Sequence, residues 1–371
     1  MAIFPSEETA YDALNAAHWI SCYPFVFQSV ICLLRGGVLA YLDETPNGAS
    51  FDQIGQKTGL SQGALKVLLQ AAVYFDILNL RDGLYSNTKT AHFLLTDKIV
   101  KANLDFAQDV CYLGLFNLLE SLKEEKPIGL ETLGQAETIY PILSTLNEPA
   151  RTSWYTFDHC YSDKCFSKAL DILPSARPST ICDIGGNTGL FEAACCQRDS
   201  ELRIMVLDLP EQCAVIRRNM LDQGFSNRVN CIEIDLLSDA PFPQISADAW
   251  WLSQFLDCFS SEDIVEILRR VASRLGDDDR VYILEPFVGR QPFPMGDKCL
   301  AAFSLYFTAI ANGKSRFYSF EDFSELISRA GLKIDQMFEG LGTGHTLLVC
   351  KKAYILSLIH ISEPTRLLSI S

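Results

Sequence analysis

The sequence predicts an α/β protein, with a Rossmann-like domain behind a mainly α-helical N-terminal domain built around a winged helix. Three observations carry that prediction. From Thr180 onward, short apolar strand-like runs alternate with helix-like ones, the texture of a mostly parallel sheet covered on both faces. The first of those strands, ICDI, runs into a glycine-rich turn. Before residue 90 a helix, a turn, a second helix and a hairpin signal follow one another.

Taken in order, Glu8 to Asp43 reads as two helices rich in Ala, Leu, Val and Phe. The stretch Ile20 to Leu42 approaches membrane-spanning length, but Ser21, Gln28, Ser29, Arg35 and the pair Gly36-Gly37 interrupt it. A span needs ~20 nearly continuous apolar residues, so a buried helix pair is expected and no membrane partner. Next, FDQIGQKTGLSQGALKVLLQAAVYFDIL gives a short helix, a turn at Thr58-Gly59, and a helix opened by Ser61 as N-cap. Leu65, Leu68, Leu69, Ala72 and Phe75 mark its buried side. Asp82-Gly83 then signals a hairpin. A winged helix can bind DNA through its second helix, but that helix exposes only Lys66 and Gln70, and the hairpin only Arg81. Packing or dimerisation is the preferred role.

Residues 88–150 look helical, with DFAQDVCYLGLFNLLESLKEE the clearest amphipathic run, until Pro127, Pro141 and Pro149 break the pattern. A helix from Trp154 to Leu170 leads to the linker LPSARPST. Beyond it ICDI, RIMVLD, VNCIEI, DAWWLS, VYILEP and HTLLVC read as strands. The boundaries expected are 1–110 for the winged-helix domain, 111–178 for a helical connector with substrate-pocket helices, and 179–352 for the α/β domain. The segment 353–371, containing YILSLIHISEPTRLLSIS, resembles a translated sequencing adapter or frameshift scar and is set apart as a non-native tail.

Composition narrows the function. At 371 residues the chain suits two domains, and its 48% hydrophobic and 21% charged residues suit a folded protein. A net charge of −15, from 31 basic and 46 acidic side chains, repels phosphate backbones and anionic lipid. Nucleic acid is therefore not an expected partner. Of 13 cysteines, Cys182, Cys231 and Cys350 sit in apolar strand-like runs, and no CxxC pair with zinc-type partners occurs. No metal site is expected. The odd count and the acidic start MAIFPSEET point to a reducing, cytoplasmic compartment.

The chemistry concentrates at strand ends. In ICDIGGNTGLF, Gly185, Gly186 and Gly189 allow a tight turn and close approach of a ligand. The pattern is DxGGxTG, not the GxGxxG of dinucleotide sites. Asp183 would repel pyrophosphate but can accept hydrogen bonds from an ammonium group, such as that of a methionine moiety. The alternative is a structural turn without ligand. Asp208 ends the next strand 19 residues after Gly189 and can accept from a ribose diol, or simply cap the following helix. Asp235 closes the third strand and, with Leu236, could hold an adenine. Three acids ending successive strands place a ligand beyond the strand carboxyl ends.

In the order DIGGNTG, VLDLPE, IDLL, DAWWLSQFLDCFSSEDIVEIL and NGKSRFYSFEDFSELISRAGL, the chain resembles the small-molecule O-methyltransferases with a winged-helix dimerisation domain, of the plant caffeate and bacterial polyketide or hydroxyindole type. The resemblance runs from roughly residue 10 to 352. It implies a class I methyltransferase domain, S-adenosylmethionine as cofactor, a small-molecule acceptor and a homodimer through the N-terminal domain. Carried over by position, Gly185, Asp208 with the adjoining Leu209, Asp235 and Leu236 would contact the cofactor. Ser253 falls where the family often has a cofactor-contacting lysine. Phe157 and His159 lie in a helix that lines the acceptor pocket in the family, and Tyr306, Phe307 and Asn312 in another that would face it.

The departure from the family lies at the catalytic strand end. Where the family usually reads LHDWSDE, this chain reads LDCFSSE. Asp257 stands at the catalytic histidine and Cys258 at the following acid. Glu285 matches a glutamate that flanks the histidine, whereas Ser315 or a neighbour replaces the other. A phenol of pKa ~10 is ionised to about one part in a thousand at neutral pH, and an aspartate of pKa ~3.9 is a weaker base than a histidine of ~6.5. Asp257 becomes competent if Phe255, Leu256 and Phe259 raise its pKa, or if the acceptor is a carboxylate or enol. As alternatives, Asp257 merely caps the helix after it, or His159 supplies the base. The rival functions are a cofactor-sensing regulator that has lost catalysis and a non-methylating enzyme on the same fold.

Overall fold

The computed structural model describes residues 9–173 and 178–353. The tail from residue 354 and most of the linker after Leu173 lie outside the described residues. The described chain forms two compact units, residues up to 112 with 152–160, and residues 113–151 with those from 161 on. The segment 111–178, expected as a connector of its own, is thus divided between them.

The first unit opens with α1 (Ala10–Arg35) and α2 (Val38–Asp43). A capping box of Thr9 and Asp12 starts α1. The expectation of a buried pair fails for the first half of α1. Its buried residues are Val30, Ile31 and Leu33, while Tyr11, Leu14, Trp19, Ile20, Tyr23 and Phe25 are exposed. By length and composition alone α1 passes as a membrane span, although Pro24 sits inside it. The run interrupted in sequence by Ser21 and Gln28 is a continuous helix: the exposed Ser21 hydroxyl donates to the His18 carbonyl, and the half-buried Gln28 amide donates to Gln108 Oε1 at 2.7 Å.

The winged helix follows as expected: β1 (Ala49–Ser50), α3 (Phe51–Thr58), α4 (Gln62–Tyr74), β2 (Leu78–Arg81) and β3 (Leu84–Asn87). Ser61 caps α4, accepting the Ala64 N–H. Asp82 and Gly83, with φ of 51° and 79°, make the left-handed two-residue turn of the hairpin. The three strands pair in the order β1-β3-β2. The helices α5 (Lys89–Thr96) and α6 (Lys98–Phe106) come next. The amphipathic run after them is not one helix: a π turn covers Ala107–Cys111 and a 3-10 turn Gly114–Asn117 before α7 (Leu118–Glu124). Arg35 clasps Asp109 in that π turn with both carboxylate oxygens at 2.8 Å, and the Ser153 hydroxyl donates to the same carboxylate. Ser153 lies in α8 (Ala150–Ile172).

The second unit holds a seven-stranded sheet ordered β6-β5-β4-β7-β8-β10-β9. Its strands are β4 (Thr180–Ile184), β5 (Arg203–Asp208), β6 (Val229–Glu233), β7 (Ala249–Ser253), β8 (Arg280–Glu285), β9 (Leu332–Leu341) and β10 (His345–Lys352). The first five run parallel and the β8-β10 and β10-β9 pairs antiparallel. Only β9 was absent from the sequence reading.

On one face α11 (Ser261–Ala272) and α13 (Phe320–Arg329) pack through Ile264, Leu268, Phe323 and Ile327. On the other, α9 (Leu190–Arg198), α10 (Pro210–Asp222) and the end of α8 pack through Phe191, Ile216, Met220 and Ala169. Adjacent Trp250 and Trp251 on the central β7 point to opposite faces and both are fully buried. Phe191 stacks on Trp251 at 4.3 Å. This is the three-layer α/β architecture expected, joined to a winged-helix N-terminal domain. All 13 cysteines are described and none forms a disulfide.

Candidate functional site

Strand order reverses between β4 and β7, the place where such sheets bind ligands beyond their carboxyl ends. Asp183, Asp208, Asp235, Ser253 and Glu285 all lie at or just past the ends of β4 to β8. The second unit therefore brings the cofactor residues expected from sequence to one edge of one sheet.

The glycine turn is packed by the protein itself. A Cβ at Gly185 (φ 83°) would stand 2.2 Å from the Phe255 ring, and one at Gly186 would stand 2.4 Å from Glu192 Oε1. Asn187, at φ 52°, takes a left-handed conformation in the same turn. Asp208 holds the turn in place: its carboxylate accepts the N–H of Asn187 at 3.0 Å and of Leu209 at 2.8 Å. The helix-cap alternative for Asp208 does not apply, since Leu209 is the N-cap of α10 and that helix has no side-chain cap. Burial raises the pKa of Asp208 to about 6 against these hydrogen bonds, which lower it.

Asp183 is 2% exposed and Glu192, from the first turn of α9, is fully buried against it. Burial is the main cause that pushes Asp183 well above the carboxylate range, and Glu192 to about 7. Both Glu192 oxygens are buried with no side-chain donor. The two acids are within hydrogen-bonding reach of each other, a contact that exists only when one of them carries a proton.

Asp235 is exposed and accepts the Leu237 N–H at 2.9 Å. Leu236 is 8% exposed and packs into the core below, so in this arrangement it lines the domain interior, not an open ring site. Its carbonyl accepts from Arg270 at 2.8 Å, which fixes the loop. The Ser253 hydroxyl is buried without a partner, and Gln254 beside it is strained at φ 46°.

Asp257 lies in a short 3-10 turn and is 6% exposed. The Cys258 thiol donates to its Oδ1 at 3.5 Å. Ser260, and not Asp257, caps α11 by accepting the Asp263 N–H, which removes the plain-cap alternative. Glu285 is 1% exposed, and its Oε1 accepts the N–H of Phe255 at 3.1 Å and of Leu256 at 2.9 Å. Burial first, then the nearby Asp257, hold Glu285 well above the carboxylate range.

Asn312 Nδ2 reaches the Tyr140 hydroxyl at 3.0 Å, the Cys258 carbonyl at 2.9 Å and the Ser315 hydroxyl at 2.7 Å. It follows a π turn at Phe307–Ala311 that ends α12 (Pro294–Tyr306). Such turns are frequent at functional sites. Tyr306 and Phe307 are both 6% exposed, and Phe307 meets Phe317 edge-on at 5.2 Å. They therefore help to build the domain core. Phe157 and His159 belong to the first unit. Phe157 stacks on Phe106 at 4.0 Å, and the His159 ring lies 6.2 Å from that of Tyr155. His345 is fully buried with both ring nitrogens unpartnered, and burial lowers its pKa to about 4.

Sequence reasoning missed Glu192, Tyr140 and Gln254. Glu192 carried a signal, an acid on the buried side of the run LFEAACC. Tyr140 and Gln254 carried none. Among the described residues no cluster suited to a metal ion occurs.

Comparison with known proteins fits this geometry. Residues 161–333 match the model of the O-methyltransferase domain, and residues 15–85 that of a Dimerisation2-like domain. The L-tyrosine C(3)-methyltransferase of Streptomyces lavendulae is 25% identical over 317 residues, covering 84% of this chain and 85% of that one. The 3-hydroxy-5-methyl-1-naphthoate 3-O-methyltransferase of Streptomyces sahachiroi is 24% identical over 65% of this chain and 68% of its own. Among solved structures, a mitomycin 7-O-methyltransferase superposes with a TM-score of 0.69 at 18% identity, over 92% of this chain and 98% of that one. Human N-acetylserotonin methyltransferase in complex with S-adenosylmethionine gives 0.65 at 18%, over 95% and 100%. The fold is that of the class I methyltransferases. The domain matched at residues 161–333 is that of the S-adenosylmethionine-dependent O-methyltransferases.

Proposed function

We propose that this enzyme methylates a hydroxyl or carboxyl oxygen of a small, flat, aromatic metabolite, with Asp257 as the base. The observation that carries the reading is the single edge formed by Asp183, Asp208 and Asp235 on one side of the strand reversal and Asp257 with Glu285 on the other. The residues fit the cofactor. The buried acids Asp183 and Glu192 lack a cation and suit its ammonium group, Asp208 suits the ribose, Asp235 the adenine amine, and the unpartnered Ser253 hydroxyl lies beside them.

S-adenosylmethionine supplies a methyl group already activated on a sulfonium. The protein's share is alignment and proton removal. Glu285 holds the Phe255–Leu256 backbone and so sets where Asp257 points. Two neighbouring buried acids do not ionise together readily, and burial with the nearby Asp257 holds Glu285 well above the carboxylate range; Asp257 is the acid assigned here to take the acceptor's proton. Asn312 fixes Tyr140 and the Cys258 carbonyl around it. His159 is set aside as the base because Asp257 already stands in the second unit with Glu285.

Both relatives named above act on aromatic rings carrying a hydroxyl, one of them on carbon. We take oxygen as the acceptor here. The exposed apolar face of α1, with the groove lined by Phe25, Ser29, Ala64, Val67 and Phe75, is taken to be covered by a second copy of the chain. The family match of residues 15–85 to a dimerisation domain supports this. A cytoplasmic location is retained as the proposal, because none of the 13 cysteines is in a disulfide.

The test is incubation with S-adenosylmethionine carrying a labelled methyl and panels of phenols and aromatic carboxylates, with products identified by mass spectrometry and NMR. Label on oxygen supports the reading. Label on carbon or nitrogen, or S-adenosylmethionine consumed without methyl transfer, overturns it.

A further inference from the structure

The buried Asp183–Glu192 pair is larger than cofactor recognition by one strand-end acid requires. Glu192 lies three residues past Gly189, on the face of α9 that packs on the sheet between Phe191 and Cys195. Helices of this kind bury apolar groups there, and an unpaired buried carboxylate is strongly disfavoured. Its place is nevertheless built. Gly186 supplies the room, since a Cβ there would stand 2.4 Å from Glu192 Oε1. Both Glu192 oxygens are buried without a side-chain donor, and the polar groups they reach are Glu192's own backbone N–H and the Asp183 carboxyl.

The surroundings supply no counter-charge. From β5 the neighbour is Asp208, another acid. From β4, α9 and β6 the facing groups are the thiols of Cys182, Cys195, Cys196 and Cys231. Burial keeps the first three in the neutral thiol form. Arg198, Arg228 and Arg217 act on those cysteines and not on the pair. Two adjoining acids in such a place hold a proton between them, as the elevation of both groups by burial indicates.

We propose that Asp183 and Glu192 share one proton in the free enzyme, and that seating the cofactor's α-ammonium group against them releases that proton to solvent. This rests on the cofactor reading above and deepens it. Glu192 is a positioning residue: it acts on the ligand through Asp183. Bound cation and lost proton balance, so the pair gains its negative charge only when a positive group arrives to meet it. Cofactor affinity then rises with pH while the free pair is protonated, and levels off above.

Proton release is read by calorimetric titration with S-adenosylhomocysteine, which keeps the ammonium group, in two buffers of different ionisation enthalpy. Working from about pH 5.5 to 6.7 stays about one pH unit below the ~7.7–8.0 range in which an α-amino group itself titrates. The expected result is release of about one proton near pH 6.5 and an affinity that climbs toward tenfold per pH unit below neutrality. In Glu192→Gln the amide donates to Asp183 and holds it ionised. That variant should release no proton and show an affinity that changes less than about twofold across the range. Binding by the wild-type enzyme with equal heats in both buffers overturns the proposal, as does an unchanged proton count in the variant. Should the variant not fold, the wild-type proton count decides alone. Failure to bind S-adenosylhomocysteine at any pH is a different result: it removes the cofactor reading, and the proposal with it.

Discussion

Glu285, at the end of β8, accepts the backbone N–H of Leu256 at 2.9 Å, so one buried side chain fixes the turn that carries Asp257. The same oxygen takes the Phe255 N–H. Removing it by Glu285→Ala leaves two buried donors unmet, at about 1–3 kcal/mol each. Glu285→Gln keeps the accepting oxygen and removes a buried ionisable group. Thermal unfolding should therefore show a clear loss of stability for the alanine variant and little or none for the glutamine variant. Equal losses would mean that the carboxylate does more than hold this turn.

Asp257→Asn removes the proposed base and preserves the shape. A positioned base contributes roughly 10²–10⁴ in rate, and kcat should fall within that span while the affinity for S-adenosylhomocysteine stays within about twofold. Asp257→His introduces the histidine that the resemblance implies at this position and, on the proposed mechanism, should retain or raise activity. An Asp257→Asn enzyme as fast as the wild type would remove Asp257 from the chemistry.

His345, at the start of β10, is buried neutral with a pKa of about 4. A lowered folded-state pKa means stability that is complete above the unfolded value of ~6.5 and lost as pH falls through the folded one, by about 3 kcal/mol for this shift. Asp208 and Glu192 act in the opposite sense, being raised to about 6 and 7. Their contribution is present in acid and is lost as pH rises. They are the same in both proteins when His345→Gln is compared with the wild type by urea unfolding at about pH 7 and pH 4.5. The variant should lose much less stability on acidification, and identical losses would contradict the assignment.

Val67, 72% exposed on α4, stands in the apolar groove beside α1. A charge there should oppose docking of a second copy. Sedimentation should give a dimer for the wild type and a monomer for Val67→Asp. A monomeric wild-type protein would leave that face to another partner.

The sequence made the sheet legible where strands are buried on both faces, because ICDI, DAWWLS and VYILEP are mainly apolar and carry their acids at or near the ends. It hid β9, whose LKIDQMFEGL is an edge strand largely exposed and mixes charge with apolar residues. It also hid the break after α6, since period alone cannot show that Gly114 meets Ile310 and the Gly129 carbonyl closely enough to exclude a Cβ. The strand-end acids were readable because topology puts them at one edge. Tyr140 joins that site through tertiary contacts, among them the one with Asn312 across 172 positions of chain. A Cβ at Gly185 or Gly186 would collide with Phe255 or Glu192, which no local pattern announced.

The most direct test is equilibrium binding of S-adenosylhomocysteine to the wild-type enzyme beside Asp208→Ala at neutral pH. Micromolar binding by the wild type, lost in the variant with the fold retained by circular dichroism, is the expected result. No binding by the wild type, or equal binding by both, would contradict the cofactor site built on the ends of β4, β5 and β6.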